Sequence, residues 1–481
     1  MSPDGSDELK AWKHTTIGDY TVQAHPLATL THIRSEGSDT ELTMVGYILD
    51  PQRPEDSNED ILHALAKDAS LESLSERLYP YTGRFVLIAR VERSYYLFHD
   101  ACGLRSVFYT YKNDKLFAAS QPLLIGKQVP LEKGKQFTDY QNSSYKKQTI
   151  EHWMPAGCSL YESVKNLVPN HYLDVANRVQ VRFWPVKRIG QVSMEEGVEK
   201  ASELLAKTMI AYRTRFKLAV TTTAGNDSRA ILSASKAIAG DVFFYTLKYR
   251  NLSPDSNEIK LPRKLLGNLG YQHHVIDCSQ SIAPEFKTIY EKNTDMPHWN
   301  DWGLIAGGMR KDYPADHVSI KGNCAEVGRC FYYKQGLHPT VRSYEYILDL
   351  IPGWGKIPFV KARVAEWFEE MKPISKNYGY QVLDMFYWEH RMGSWQAQSQ
   401  LESDLVYESG TPFNNRQLLD VILSVDPDER CKPGYPVFKE IMNHLWPETL
   451  SVPINPKSRF HYLIVMRNII AARLGIGNRY N

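Results

Sequence analysis

Over the first 185 residues or so, short apolar runs separated by polar breaks recur at strand length: TMVGYIL at 43–49, GRFVLIARV at 83–91, SYYLFHD at 94–100 and SVFYTYKNDKLFAAS at 106–120. Within the last of these, Asn113-Asp114 separates two apolar halves and signals a hairpin turn. Between strands, NEDILHALAKDASLESLSERL repeats its apolar positions with a 3.6-residue period and predicts an amphipathic helix capped by Ser57 or Asn58. An α+β domain with an antiparallel sheet is expected.

From 153 to 185 the pattern breaks into short extended pieces punctuated by Pro and Gly, which reads as a connector ending near Pro185. Helical and strand patterns then alternate: MEEGVEKASELLAKTMIAYRTR, FKLAVTTT, DSRAILSASKAI, DVFFYTLKY, SNEIKLPRKLLGNLG and HHVID. Such alternation predicts a doubly wound parallel sheet, whose ligand crevice lies beyond the carboxyl ends of the strands. Two domains are therefore expected, 1–185 and 186–481, and the text beyond about 285 is mainly helical and rich in Trp and Tyr.

Composition narrows the function classes. In 481 residues, 57 Lys and Arg nearly balance 55 Asp and Glu, a formal charge of +2 that argues against a nucleic-acid coat. Nucleic acid is not an expected partner. The six cysteines are scattered without a CxxC pair, and no secretory signal precedes them, so reduced thiols and a cytoplasmic location are expected. No apolar run has the length of a membrane span, and YLIVM at 462–466 is core-sized. The adjacent His273 and His274 would point to opposite sides of a strand, which disfavours joint metal ligation. The tail after 456 carries basic side chains and no acids and reads as a packed helix. Oligomeric state is not written in the sequence, which leaves a homodimer open.

Chemistry concentrates at 218–232, LAVTTTAGNDSRAIL. A strand that turns directly into a helix offers unpaired amides and the positive end of the helix dipole, a place suited to an oxyanion. Gly225 permits close backbone approach, Thr223 and Ser228 supply hydroxyls, and Asp227 could hold a divalent cation against phosphates. A tight turn with Asp227 as a helix cap is the plainer alternative. Neither Walker A nor GxGxxG spacing is present.

Residues 223–228, TAGNDS, resemble the pyrophosphate loop Ser-Gly-Gly-x-Asp-Ser of the asparagine synthetase family. Further resemblances follow in the family's order: GNCAEVG at 322–328 to its Gly-x-Gly-Ala-Asp segment, ESGTPFNNRQLL at 408–419 to its Glu-x-Arg-x-Pro-Phe-Leu-Asp segment, and WPETLSVPINPKSRF at 446–460 to its late lysine segment. The stretch 83–120 resembles the family's amidotransferase domain. The resemblance implies an Ntn-like antiparallel sandwich followed by an α/β PP-loop domain with added helices.

It also implies ATP and Mg²⁺ as cofactors. The triphosphate would lie along Thr223, Ala224, Gly225, Asn226, Asp227 and Ser228, with Gly322 beside it and the cation on Asp227 and Glu326. Thr246 and Leu247 would offer backbone contacts to adenine. Lys457 would meet the α-phosphate and pyrophosphate, with Arg229 second. Two departures qualify this. The start Met-Ser-Pro-Asp supplies no cysteine nucleophile, and only Asp100 matches a glutamine-contacting position, so a scaffold without glutaminase activity is expected, as in relatives resembling β-lactam synthetase and lasso-peptide cyclases. Asn323 stands where the family has a catalytic Glu or Tyr and cannot accept a proton, which leaves Glu408 as the candidate base.

The expected activity is ATP-dependent amide formation: adenylation of a carboxylate, then attack by an amine, intramolecular where one small molecule or peptide carries both groups. A catalytically silent nucleotide-binding paralogue acting as an interaction module and an adenylating RNA-modifying enzyme are the alternatives.

Overall fold

The computed structural model describes residues 1–35, 39–333 and 340–456. The chain opens with a hairpin, β1 (Lys13–Ile17) and β2 (Tyr20–Ala24). There follow β3 (Leu30–Arg34), β4 (Glu41–Leu49), β5 (Thr82–Val91) and β6 (Ser94–His99), and then the hairpin β7 (Phe108–Lys112) and β8 (Lys115–Ala119). Asn113 and Asp114 both take positive φ (49° and 65°), the left-handed pair that a two-residue hairpin turn demands.

The segment expected to be a connector instead supplies β9 (Lys165–Asn166), β10 (His171–Asp174) and β11 (Val179–Arg182). Strands of two to four residues are too short to show alternation. The order β11-β10-β6-β5-β4-β3 makes an antiparallel six-stranded sheet, and β8-β7-β9 a second, smaller one. Alternate residues of β5 divide between two cores: Leu87 and Ala89 join the large one, while Ile88 faces a smaller cluster with Val107, Tyr109 and Leu116.

The helix predicted over 58–78 is two helices, Asn58–Ala66 and Leu71–Arg77, each opened by its own capping box on Ser57 and Ser70. Between them Asp68 takes φ 49°, which no helix interior accommodates.

After the 22-residue helix Met194–Arg215 comes the parallel sheet: β12 (Lys217–Thr221), β13 (Val242–Lys248), β14 (His274–Asp277), β15 (His317–Ile320) and β16 (Ser409–Gly410). Its order is β14-β13-β12-β15-β16, with each pair parallel. The chain thus leaves β12 toward one edge and returns to its other side, so the switch of direction falls between β12 and β15. In sheets of this kind the ligand crevice lies beyond the carboxyl ends of the two strands that flank such a switch. The large core runs without a break from Leu87 and Phe98 to Leu218, Val220 and Ile231, so the two halves are packed as one body. Among the described residues no helix is long and apolar enough to cross a membrane.

Candidate functional site

The loop at the end of β12 is held from below and braced from within. The Thr222 N–H donates to the Tyr245 carbonyl (2.8 Å), extending the β12–β13 pairing by one step. The chain then turns, and helix Asn226–Ala234 starts with Gly225 as its cap residue. Ser228 Oγ accepts from the Thr223 N–H (3.1 Å) and lies 2.8 Å from Thr223 Oγ1, which in turn accepts from the Gly225 N–H (3.1 Å). Both hydroxyls expected to meet a ligand therefore first shape the loop.

The loop after β15 lies directly against it. A Cβ at Gly322 would come within 2.6 Å of the Asp227 carbonyl carbon, so only glycine allows this contact. Half-buried Asn323 follows, and then Cys324 with φ 71°, a conformation that costs about 1–2 kcal/mol for a residue with a Cβ. The tight bend delivers Glu326, on the short turn Ala325–Arg329, to the crevice.

Asp227 and Glu326 meet there. Arg329 Nη2 donates to Asp227 Oδ2 at 2.7 Å and lies 3.9 Å from Glu326 Oε1. The remaining oxygens, Asp227 Oδ1 and Glu326 Oε2, are buried with no hydrogen-bond partner among the described residues. Burial and the nearby Glu326 carboxylate push the Asp227 carboxyl up to about 7 against the pull of Arg329. Two acids aimed at one place, each with an oxygen left over, suit a cation bound with further oxygen ligands. On the loop itself the charge is reversed: Glu258 Oε2 accepts from the Ala224 N–H at 3.1 Å. The chain's own cation sits at the acids and its own anion at the loop amide.

Neither Arg329 nor Glu258 was singled out in the sequence. Arg329 follows Glu326 by three residues, the spacing that pairs side chains along a helical turn. Glu258 is a first-turn acid of helix Asn257–Leu269, a position with an ordinary capping explanation.

Other expected site residues are placed as follows. Thr246 and Leu247 lie on β13 past the last β12–β13 pair, Thr221–Tyr245, at the crevice end of the sheet. The Thr246 hydroxyl bonds the Thr222 carbonyl and lies 2.8 Å from His273 Nε2, so it is engaged within the protein. His274 stacks on Phe243 with centroids 4.1 Å apart, on a different neighbour from His273, as the strand geometry requires. Arg229 is buried: Nη1 donates to the carbonyls of Thr449 (2.7 Å) and Val452 (2.9 Å), and Nη2 has no hydrogen-bond partner among the described residues. The guanidinium thus braces the chain that leads to Asn455, whose N–H donates to the Ala224 carbonyl (2.9 Å). Lys457 lies outside the described residues.

Glu408 also belongs elsewhere. It accepts from Arg84 Nη1 (2.9 Å) and from Arg105 Nη2 (3.0 and 3.2 Å), at the seam between the two halves. Burial works to raise its pKa, but Arg105 and Arg84 outweigh that and hold the carboxyl below the usual carboxylate range. A carboxylate so neutralised is a poor base. The 408–419 segment as a whole is a joint: Asn414 bonds Asp100, the Cys102 N–H and the Gly83 carbonyl, and Asn415 bonds the Pro80 carbonyl. Asp100, expected at a glutamine-contacting position, accepts from Leu104 N, Arg105 N, Phe85 N and Asn414 Nδ2. Its lone pairs are spent.

Two cavities are found away from the crevice. One, of about 30 Å³, lies between the halves beside His152, Asn166 and Asp295. A second, of about 260 Å³, lies between Ile189–Val192 and the buried Asp384–Arg430 pair. Neither borders the 223–228 loop.

No family model matches the chain, and no curated protein matches it. Among solved structures it is similar to the glutamine phosphoribosylpyrophosphate amidotransferase from B. subtilis complexed with ADP and GMP, at 10% identity over 62% of this chain and 59% of that one, with a TM-score of 0.21. It is also similar to a structure described as the allosteric regulatory enzyme of purine biosynthesis, at 12% identity over 54% and 58%, with a TM-score of 0.22. The chain thus spans less than two thirds of either. At such scores these likenesses carry no argument about chemistry.

Proposed function

We propose that the chain is an ATP-dependent ligase that adenylates a carboxylate and passes the acyl group to an amine, without hydrolysing glutamine. The observation that carries this reading is the meeting of Asp227 and Glu326, from loops after adjacent parallel strands, beside a glycine-containing turn into a helix. The donor set fits Mg²⁺, which commonly takes one or two carboxylates together with substrate phosphates. Asp227 and Glu326 would hold it, and bound there it would offset phosphate charge.

In this reading the substrate carboxylate oxygen attacks the α-phosphorus of ATP and the bond to the β-phosphate bridge breaks, releasing pyrophosphate. The loop amides and the dipole of helix Asn226–Ala234 stabilise the departing charge. The amine nitrogen then attacks the acyl carbon, AMP leaves, and the nitrogen loses a proton. Asn323 cannot take that proton, and Glu408 is held as an ion-paired carboxylate, so the acceptor is solvent or the substrate itself. Lys457 is proposed, from the motif alone, to meet the phosphates.

Hydroxylamine trapping of the acyl-adenylate against a panel of metabolite and peptide acids tests this. ATP-dependent hydroxamate should form with at least one acid and fall to background in Asp227→Ala. Signal that persists in that variant removes the acid pair from the mechanism. A second reading is favoured by one observation: Arg329 and Glu258 already occupy the cation and anion positions, as in a nucleotide-binding module without catalysis. In that case no acid on the panel yields hydroxamate, while Arg329→Gln increases the thermal stabilisation that MgCl₂ alone confers.

A further inference from the structure

The cavity of about 260 Å³ opens where the segment joining the two halves passes over the helical part of the second. That segment is fixed on both sides of the opening: the Ile189 N–H donates to the Tyr378 carbonyl (2.8 Å) and the Val192 N–H to the Ser424 carbonyl (3.2 Å), with Gly190 and Gln191 between. Walls tied in this way stand without a ligand. The floor is polar but settled within the protein. Buried Arg430 donates through Nε to the Val425 carbonyl (3.0 Å), through Nη1 to the Gly328 carbonyl (3.1 Å) and through Nη2 to Asp384 (3.0 Å). Each guanidinium nitrogen is engaged, and the Asp384 charge is matched, so the floor offers no cation to an incoming anion. The rim differs. The exposed carboxamides of Gln191 and Gln381 line the cavity and make no hydrogen bond among the described residues. Asp426 accepts from the Asp428 N–H (2.8 Å) through Oδ1; its Oδ2 is unengaged and it forms no ion pair among the described residues. Two carboxamides, each donor and acceptor at once, and one acceptor oxygen stand among the apolar side chains of Ile189, Leu423 and Pro427. That mixture suits hydroxyl groups carried on a carbon skeleton. The volume falls short of the roughly 300–1,000 Å³ of drug-sized ligand sites, so the ligand is small.

We infer that this cavity binds a neutral polyhydroxylated molecule of monosaccharide size through Gln191, Gln381 and Asp426. None of the three belongs to the crevice of Asp227 and Glu326, and the inference does not rest on the ligase reading.

Glucose and myo-inositol, with glucuronate as the anionic counterpart of glucose, are titrated into the full chain with detection by ligand-observed NMR. At least one neutral probe should bind saturably. Glucuronate should bind about fivefold or more weakly than glucose, because it brings a like charge to Asp426 and meets no free cation. Gln191→Ala and Gln381→Ala, both at exposed positions, should each weaken binding severalfold while leaving the melting temperature unchanged, and the double variant should abolish it. Asp227→Asn should leave it intact, so that failure of the ligase reading and failure of this site are told apart. No saturable binding of either neutral probe, glucuronate binding as tightly as glucose, or binding that survives the double variant overturns the inference.

Discussion

The seam around Asp100 and the crevice around Asp227 contain the same kinds of group in opposite states. At the seam each Asp100 oxygen accepts two hydrogen bonds, and Glu408 answers Arg84 and Arg105. In the crevice, Asp227 and Glu326 share one guanidinium and each keeps a buried oxygen without a partner. A carboxylate whose lone pairs are all used has no capacity for a ligand; one left half-satisfied in a buried place lowers the stability of the folded chain and gains when a cation arrives. Hydrogen-bond accounting thus separates the two places: the acids at the seam are used up in joining the halves, while the acids of the crevice keep the capacity for a ligand that the proposed function requires.

The largest test of this contrast is Asp100→Ala. It leaves three backbone amides and the Asn414 amide without their acceptor, so a loss of about 3–5 kcal/mol is expected from several buried donors left unpaired at once. Urea denaturation measures it. A loss under ~1 kcal/mol, the level of an exposed group, would erase the distinction drawn here.

Asp227 should behave in the opposite way, with a pH signature. Its folded-state pKa, about 7, lies above its unfolded value of 3.8, so the folded chain holds a proton that the unfolded chain releases between those values. Stability from this group is complete below pH ~4 and is lost as pH rises through about 7, with a slope approaching about 1.4 kcal/mol per unit inside the window. Asp227→Asn removes that slope. The variant should match the wild type near pH 4 and exceed it at pH 8 in metal-free buffer, by chemical denaturation at each pH. Parallel profiles would mean that Arg329 fully neutralises the acid.

The same accounting explains what the sequence could reveal. The strand, loop and helix at 217–234 were legible because an apolar core strand and a helix of regular period frame the turn. So were the 194–215 helix and the 113–114 hairpin turn, each specified by local pattern. By contrast β15 and β16, which complete the crevice wall, are four and two residues long and carry no periodicity. For Glu408 and Arg229 a motif gives residue type and order but not partners. Their partners come from residues 303 to 324 positions away in one case and from carbonyls 220 and 223 positions away in the other. Asp227 and Glu326 were paired through resemblance, while the Arg329 between them depends on the fold of the 325–329 turn.

The finest test concerns Glu258, where the contrast is reduced to one hydrogen bond. Its carboxylate accepts from the Ala224 N–H, so a phosphate arriving at the loop meets a like charge and must displace it. Glutamine at 258 keeps the shape and an acceptor for the amide while removing the charge. Stability should therefore change by only about 0.5–1 kcal/mol, the net value of an ordinary hydrogen bond. Pyrophosphate affinity, by calorimetry, should rise about three- to tenfold as the repulsion disappears. An unchanged affinity would mean that the anion seat uses amides other than that of Ala224, further into helix Asn226–Ala234, and that Glu258 is a brace for the loop like the acids at the seam.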